Sequence, residues 1–589
     1  MEFSSTQEQS NAFAFASGRS LQLGYVTATR GSQASVHITR KQDPAAPSER
    51  VTVGKFLSIR AGASLLIGVV TNLTLKTEAP PGDDSLATIA VLDIIGEIGD
   101  YDAPSASFSR GVSHYPAIGD KVGFIGQPEL QKIFNISGRA VIEVGHLQQN
   151  PAIGAYIDAD DMLAKHFAVL GTTGVGKSCG VALILKNAMA ARPDIRVLVL
   201  DVHNEYRACF GDKALALSPR NIKLPFWLFN FEEIVDVFFG ARPGLDDEID
   251  LLAELIPLAK AAYAETAETY GRLSVRRAEV AGLRYTVDVP LPYRIIDLLA
   301  QLNGRMGKLE NRASRMLYQK LITRIETVSN DPRYAFMFEK ANVGGDTMAE
   351  IVGLIFRRPA SGVPMTILQL AGFPSDVVDA IVSVISRMAF DLGVWSDGGS
   401  PLLLVCEEAH RYMAADYSVG FGPTRRALSR IAKEGRKYGV HLGLVSQRPA
   451  ELDPTILAQC NTLFAMRMTN DRDQELLRSA VSDTAADLLS FLPSLGTGEV
   501  FAFGEGVAVP TRFQFKTLPA SELPRSEAFS RQSDQGAPES RLSLAEVVER
   551  WRGVVRDDKP AQERRADNNI EALAESVFSS ALARNNPQS

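Results

Sequence analysis

FAVLGTTGVGKSCGVALILKNAMAAR, residues Phe167–Arg192, runs from an apolar strand-like segment through a glycine-rich loop into a segment of helix formers. Within it, Gly171 to Ser178 fits GxxxxGK[ST], and the strand–loop–helix context is what a phosphate-cradling P-loop requires. Each residue type has a physical reason. Glycines let backbone N–H groups approach phosphate oxygens closely. A helix start adds the positive end of its dipole. The expected nucleotide contacts are Thr173, Gly174, Val175, Gly176, Lys177, Ser178 and Cys179. Lys177 is expected on the β- and γ-phosphates and the Ser178 hydroxyl on Mg²⁺, so the implied cofactors are ATP and Mg²⁺.

Outward from this loop, continuous apolar runs alternate with helical stretches. The expected strands are Phe167–Gly171, Arg196–Val202, Thr366–Leu370, Leu402–Glu407, His441–Gln447, Thr462–Met468 and Glu499–Phe503. Such runs are the mark of buried parallel strands, so the fold class is α/β with a parallel-rich sheet. Between the second and third strands, about 230 to 358, segments such as FEEIVDVFF and RASRMLYQKLITRIETV carry helical periodicity and predict a helical insertion. Its basic residues Arg272, Arg276, Arg277, Arg305, Lys308, Arg312 and Arg315 read better as a solvated face with acidic neighbours than as a DNA-binding patch.

Towards the N-terminus, residues 20 to 150 hold short β-branched runs, from LQLGYVTAT to AVIEVG, punctuated by turns such as Pro80-Pro81-Gly82. They predict a small barrel or sandwich. The ATPase-like core is then 151–517, and 518–589 is a linker followed by helical patterns near 543–555 and 569–584. Those patterns suit a clamp on a neighbouring subunit or a partner-binding element.

Two further motifs bear on chemistry. LLLVCEEAH, residues 402–410, is an apolar strand ending in paired carboxylates. Glu407 is assigned to the magnesium shell, directly or through water, and Glu408 to the base that orients and deprotonates the attacking water. RRALSRIAKEGRKYGVHLGLVSQRP, residues 425–449, reads as a basic helix, a glycine turn and a strand ending at Gln447, which is placed to sense a γ-phosphate. Phosphoryl transfer often draws an arginine from a neighbouring subunit. Arg436 is the first candidate and Arg430 the second, with pairing to surface carboxylates an equal alternative. Asp201, His203, Asn204 and Glu205 in LVLDVHNEY either line the crevice beyond the strand's carboxyl end or cap a local turn.

The bulk composition narrows the class. A net charge of −7, from 62 basic and 69 acidic residues, argues against a surface coated with basic charge, though not against a local basic channel. Cys179, Cys209, Cys406 and Cys460 form no CxxC pair and no metal pattern with the scattered histidines. The N-terminus MEFSSTQEQSN lacks the pattern of a signal peptide, and no apolar run has membrane-spanning length. The expectation is a cytoplasmic protein without a membrane segment.

Taken together, GTTGVGKS, LDVHNEY, LPFWLFNFEE, LLLVCEEAHRY, SRIAKEGRKYGVHLGLVSQRPAELDPTILAQCNT and GEVFAFG resemble the HerA family within the FtsK–HerA superfamily of ring ATPases. The resemblance covers roughly residues 20 to 517. It implies an N-terminal β-barrel, a RecA-like core with a helical insertion, a C-terminal brace, and a homo-hexamer that moves double-stranded DNA through its channel, usually with a nuclease partner. Some relatives sit beside a sirtuin-like or nuclease effector in phage defence. Carried onto this chain, it implies Lys177 and Ser178 as the phosphate and magnesium groups, Glu408 as the catalytic carboxylate, Arg436 as the trans-acting finger and Gln447 as the sensor. One departure is Glu407, where many P-loop enzymes have Asp. An ATP-stabilised ring that assembles and activates a partner effector remains the alternative to a motor.

Overall fold

A computed structural model describes residues 22–39, 50–76, 87–134, 140–240, 244–269, 285–308, 312–339, 345–417, 420–481, 486–525 and 548. Apart from residue 548, the C-terminal helical patterns lie outside these residues, as do Arg272, Arg276 and Arg277. The chain divides into two units, one of residues up to Arg192 with Val445–Leu518, the other of Pro193–Leu444 with the residues from Pro519 on.

The first unit opens with seven strands: β1 (Gln22–Arg30), β2 (Gln33–Ile38), β3 (Phe56–Ala61), β4 (Ser64–Lys76), β5 (Ala87–Ile98), β6 (Phe108–Arg110) and β7 (Lys121–Phe124). They pair in the order β2-β1-β7-β3-β4-β5-β6, and an added β2–β5 pairing closes six of them into a barrel. Closure removes the open edges that a sandwich would leave. Burial in QASVHI of β2 alternates residue by residue. Inward-facing Leu23, Val36, Leu57, Leu66, Val70 and Leu92 fill the barrel, which is the period-two pattern of a strand with one dry face. Strand β6 is pinned by Arg110, which donates to Ala508 O and Gly504 O at 2.8 Å each.

Strands β8 (Val141–Leu147) and β9 (Gly154–Asp158) follow, then β10 (His166–Leu170) and the helix Lys177–Ala191. By its pattern alone the AVIEVG run groups with the N-terminal strands. Its strand β8 instead pairs antiparallel with β9 and with a strand far along the chain, Phe513 opposite Leu147. Alternation shows that a segment is a strand but not which neighbour satisfies its backbone.

The second unit holds β11 (Arg196–Asp201), β12 (Ala214–Leu217), β13 (Met365–Gln369), β14 (Leu402–Cys406) and β15 (Val440–Ser446), the last crossing into the first unit at Val445. β12–β13, β13–β11, β11–β14 and β14–β15 all pair in parallel. Every residue of β13 and β14 is buried, as expected when both faces of a parallel sheet are covered. Between β12 and β13 lie the helices Phe231–Phe239, Asp246–Thr269, Ile295–Met306, Arg312–Ser329 and Met348–Phe356, where helical periodicity predicted them. The first begins with a capping box, Asn230 and Glu233 exchanging bonds. Glu233, buried at 1% exposure, also pairs with Arg387 at 3.0 Å. Arg305 pairs with Glu254 at 2.7 Å, as a solvated helix face does.

The chain then returns to the first unit as β16 (Cys460–Ala465), β17 (Glu499–Gly504) and β18 (Thr511–Phe515). β16 runs parallel to β10 and antiparallel to β17, and β18 joins β17 to β8.

Candidate functional site

In the first unit the loop after β10 is shaped by backbone conformation. Gly174 has φ +77° and Gly176 φ +97°, both in the region that side-chain-bearing residues avoid. Gly176 is the N-cap of the helix Lys177–Ala191. Helical propensity in Ala and Leu carries that helix to Pro193, which cannot continue it. The first amides of a helix lack intrahelical acceptors, so the loop presents donors to an anion.

Neighbouring segments hold the loop in place. Gly171 N donates to Ser446 O at 3.3 Å, Thr172 N to Arg467 O at 3.0 Å, and Gly498 N to Val175 O at 2.8 Å. Thr172 Oγ1 adds a bond to Arg467 O at 3.1 Å. Lys177, 8% exposed, donates Nζ to Thr172 O at 2.7 Å, so its ammonium is folded into the loop. Gln447, just past β15, accepts a hydrogen bond from the Thr173 hydroxyl through Oε1. The sequence-predicted sensor and the loop are therefore in direct contact. Val175 and Gly171 are buried, Ser178 and Cys179 half-buried. The backbone contributions of Arg467 and Gly498 were not foreseen. The only sequence signal was the turn-forming Gly496-Thr-Gly498 before β17.

In the second unit a buried carboxylate cluster sits beyond the carboxyl ends of β11 and β14. Asp201 is fully buried and accepts the amides of Glu205 at 3.1 Å and Tyr206 at 3.0 Å. It also shares a side-chain hydrogen bond with Glu407. Burial raises both carboxyls above their ordinary range. For Glu407, repulsion from Asp201 and Glu205 adds to burial, pushing it up to about 9. The pair therefore holds a shared proton at neutral pH, Glu407 donating to Asp201. The other Glu407 oxygen, Oε2, has no hydrogen-bond partner among the described residues.

Glu408 has φ +49°, which ends β14 abruptly. The usual strand alternation is thereby broken, and both carboxylates meet residues at the end of β11. Glu408 Oε1 lies 3.3 Å from His203 Nε2 and Oε2 lies 3.3 Å from His410 Nδ1. The neighbouring carboxylate raises the His203 imidazole above its ordinary value. Asn204, at φ +55°, accepts the Ala371 amide at 3.2 Å. The LVLDVHNEY segment thus does both things the sequence allowed: Asp201 caps a turn, and His203 reaches the paired acids.

The two arginine candidates separate. Arg430 lies 4.1 Å over the Phe390 ring, engaged within its own chain. Arg436, in the turn Gly435–Tyr438, is exposed and forms no ion pair among the described residues. Cation and nucleotide chemistry fits what is present. In the first unit the loop by itself offers glycine-bared amides, a lysine and the Ser178 hydroxyl; in the second, Glu407 carries a buried oxygen without a hydrogen-bond partner among the described residues. Magnesium sites commonly rely on one or two carboxylates plus substrate phosphates. No helix among the described residues is long and apolar enough to cross a membrane.

Residues 142–389 match the protein family described as the helicase HerA central domain. The chain is 25% identical over 488 residues to a probable helicase of Methanocaldococcus jannaschii, covering 78% of this chain and 86% of that protein. It is 26% identical over 423 residues to the DNA double-strand break repair helicase HerA of Pyrococcus furiosus, covering 66% of this chain and 72% of that protein. Among solved structures it is similar to VirB4 of Thermoanaerobacter pseudethanolicus, 13% identical with a TM-score of 0.42, over 65% of this chain and 98% of that one.

Proposed function

We propose, from the premise that this chain belongs with the HerA helicases, that it is an ATP-hydrolysing motor that acts on double-stranded DNA as a homo-hexamer. The observation that carries the reading is the phosphate cradle: left-handed Gly174 and Gly176, a buried Lys177, and Gln447 bonded to Thr173. Amides from Thr173 to Cys179 and the Lys177 ammonium hold the triphosphate. The Ser178 hydroxyl of the loop would hold Mg²⁺, which would offset charge on the phosphate oxygens. Glu408 takes the proton of the attacking water, and Gln447 reports the state of the γ-phosphate to Thr173. Arg436, exposed and without an ion pair among the described residues, serves the nucleotide of a neighbouring copy. A nuclease or sirtuin-like effector is the proposed partner.

The test is the ATPase rate with and without duplex DNA. DNA is expected to raise the rate, and Lys177→Ala and Glu408→Gln to abolish it. Glu408→Gln should still bind ATP. A rate in the wild-type chain that ignores DNA would replace the motor with an ATP-stabilised ring that activates its effector.

A further inference from the structure

We propose that Tyr438 is a positioning residue, whose ring seats the turn Gly435–Tyr438 so that Arg436 is presented to a neighbouring copy. The proposal rests on the reading of Arg436 as an arginine supplied in trans. A guanidinium that serves another subunit must stand clear of its own chain, yet it acts only if the backbone beneath it is fixed. The turn is 3₁₀ helical, and in that geometry residues three apart lie on one side. Gly435 is accordingly buried and Tyr438 half-buried, while Arg436 and Lys437 between them are exposed.

The inward side is seated on the end of the helix Ser375–Trp395. The Tyr438 and Phe390 rings meet edge to face, with centroids 5.6 Å apart and planes at 77°, the arrangement that aromatic quadrupoles favour. Phe390 is 1% exposed, so the anchor is itself locked in the core. About one helical turn further on, a Cβ added to Gly393 would stand 2.8 Å from Tyr438 O and 2.5 Å from Val440 Cγ2. Only a residue without a side chain lets the helix and the turn approach so closely. On the far side Leu402 N donates to Gly439 O at 2.9 Å, tying the turn's exit to the start of β14. The turn therefore sits at the amino end of the parallel pair β14–β15, whereas Glu407 and Glu408 follow the carboxyl end of β14. Across five strand residues the two ends are roughly 15 Å apart. Seated there, Arg436 stands away from the paired acids of its own chain.

The experiment measures steady-state ATP hydrolysis of the full chain with duplex DNA for Tyr438→Ala, Tyr438→Phe and Arg436→Ala, with thermal melting as the fold control. For Tyr438→Ala, kcat is expected to fall about ten- to a hundredfold, the effect of a misplaced catalytic group. KM for ATP should stay within about twofold, since the phosphate loop is untouched. Tyr438→Phe keeps the ring and is expected to keep most of kcat. Mixing Tyr438→Ala with Lys177→Ala should raise the rate above that of either alone, because intact loops then meet well-seated arginines. A defect in a subunit's own site would gain nothing from mixing. If Tyr438→Ala does not melt cooperatively, Gly393→Ala, which displaces the turn and keeps the ring, takes its place in every arm. Wild-type kcat in the variant, a loss confined to KM, a Phe variant no better than Ala, or no gain on mixing would overturn the proposal. Normal hydrolysis by Arg436→Ala would overturn the reading of the arginine, and this proposal with it. An inactive Arg436→Ala beside a fully active Tyr438→Ala would overturn this proposal alone.

Discussion

Replacing Gly176 by alanine isolates what backbone conformation contributes to the phosphate loop. An added Cβ would lie 3.5 Å from Gly498 N, 3.6 Å from Gly498 Cα and 3.8 Å from Met466 Cε. These are ordinary contacts, so the substitution brings no steric clash. The penalty comes from φ +97°, which an L side chain disfavours by about 1–2 kcal/mol. If the loop keeps its shape, the first unit loses that much stability. A domain of this size melts about 2–4 °C lower per kcal/mol, so the drop is roughly 2 to 8 °C. If the residue escapes to negative φ, the amides at the helix start turn away. Losing one charge-assisted bond to a phosphate costs about 1.5–3 kcal/mol, or roughly ten- to a hundredfold in ATP affinity. Thermal melting with and without MgATP reads both quantities, because a bound ligand raises the melting temperature according to its affinity. Gly176→Ala is expected to melt lower, to bind ATP more weakly, or both. A variant that matches the wild type in melting temperature and ATP affinity would refute the argument that left-handed glycines build this site.

Arg436→Ala is expected to be inactive alone, and so is Lys177→Ala. Mixed rings of the two should regain part of the DNA-stimulated ATPase activity, because some sites then pair an intact loop with an intact arginine. No recovery on mixing would contradict an arginine supplied in trans. Asp93, 1% exposed on β5, has its carboxyl raised by burial to about 6 from an ordinary 3.8. The folded barrel therefore binds a proton that the unfolded chain releases, and this contribution to stability is lost as pH rises from about 4 through about 6. Asp93→Asn should melt above the wild type at pH 8, by about 1 kcal/mol after discounting for screening, with the gap closing near pH 4. A gap that does not change between these two pH values would show that burial of the charge is not what sets it.

Much of the core and of the site was legible because it is written in short stretches of chain. Gly171–Ser178 needs only its own glycines, lysine and hydroxyl, with a strand before and a helix after. The runs Arg196–Asp201, Leu402–Cys406 and Val440–Ser446 are apolar over most of their length because both faces of a parallel strand are covered. The helices from Phe231 to Phe356 show in their periodicity. Strands β9 and β12 did not stand out in the sequence; they form where β8 and β13 offer them an edge to pair along.

By itself the sequence determined the GxxxxGK[ST] loop between a strand and a helix, the α/β class and the adjacent acids Glu407–Glu408, and it offered Arg436 and Arg430 as two candidates for an arginine supplied to a neighbouring copy. Only the tertiary structure decided the rest. β2 meets β5 to close the barrel, and β8 joins β18 rather than the barrel. Arg430 is engaged by Phe390 while Arg436 stands free of ion pairs among the described residues. Thr173 finds Gln447 across 274 positions, and His203 finds Glu408 across 205. The physical reason is common to all of these. Backbone conformation and hydrophobic period are set by near neighbours in the chain. The partner of a strand edge or of a buried carboxylate is set by which distant segments the packed sheets bring alongside.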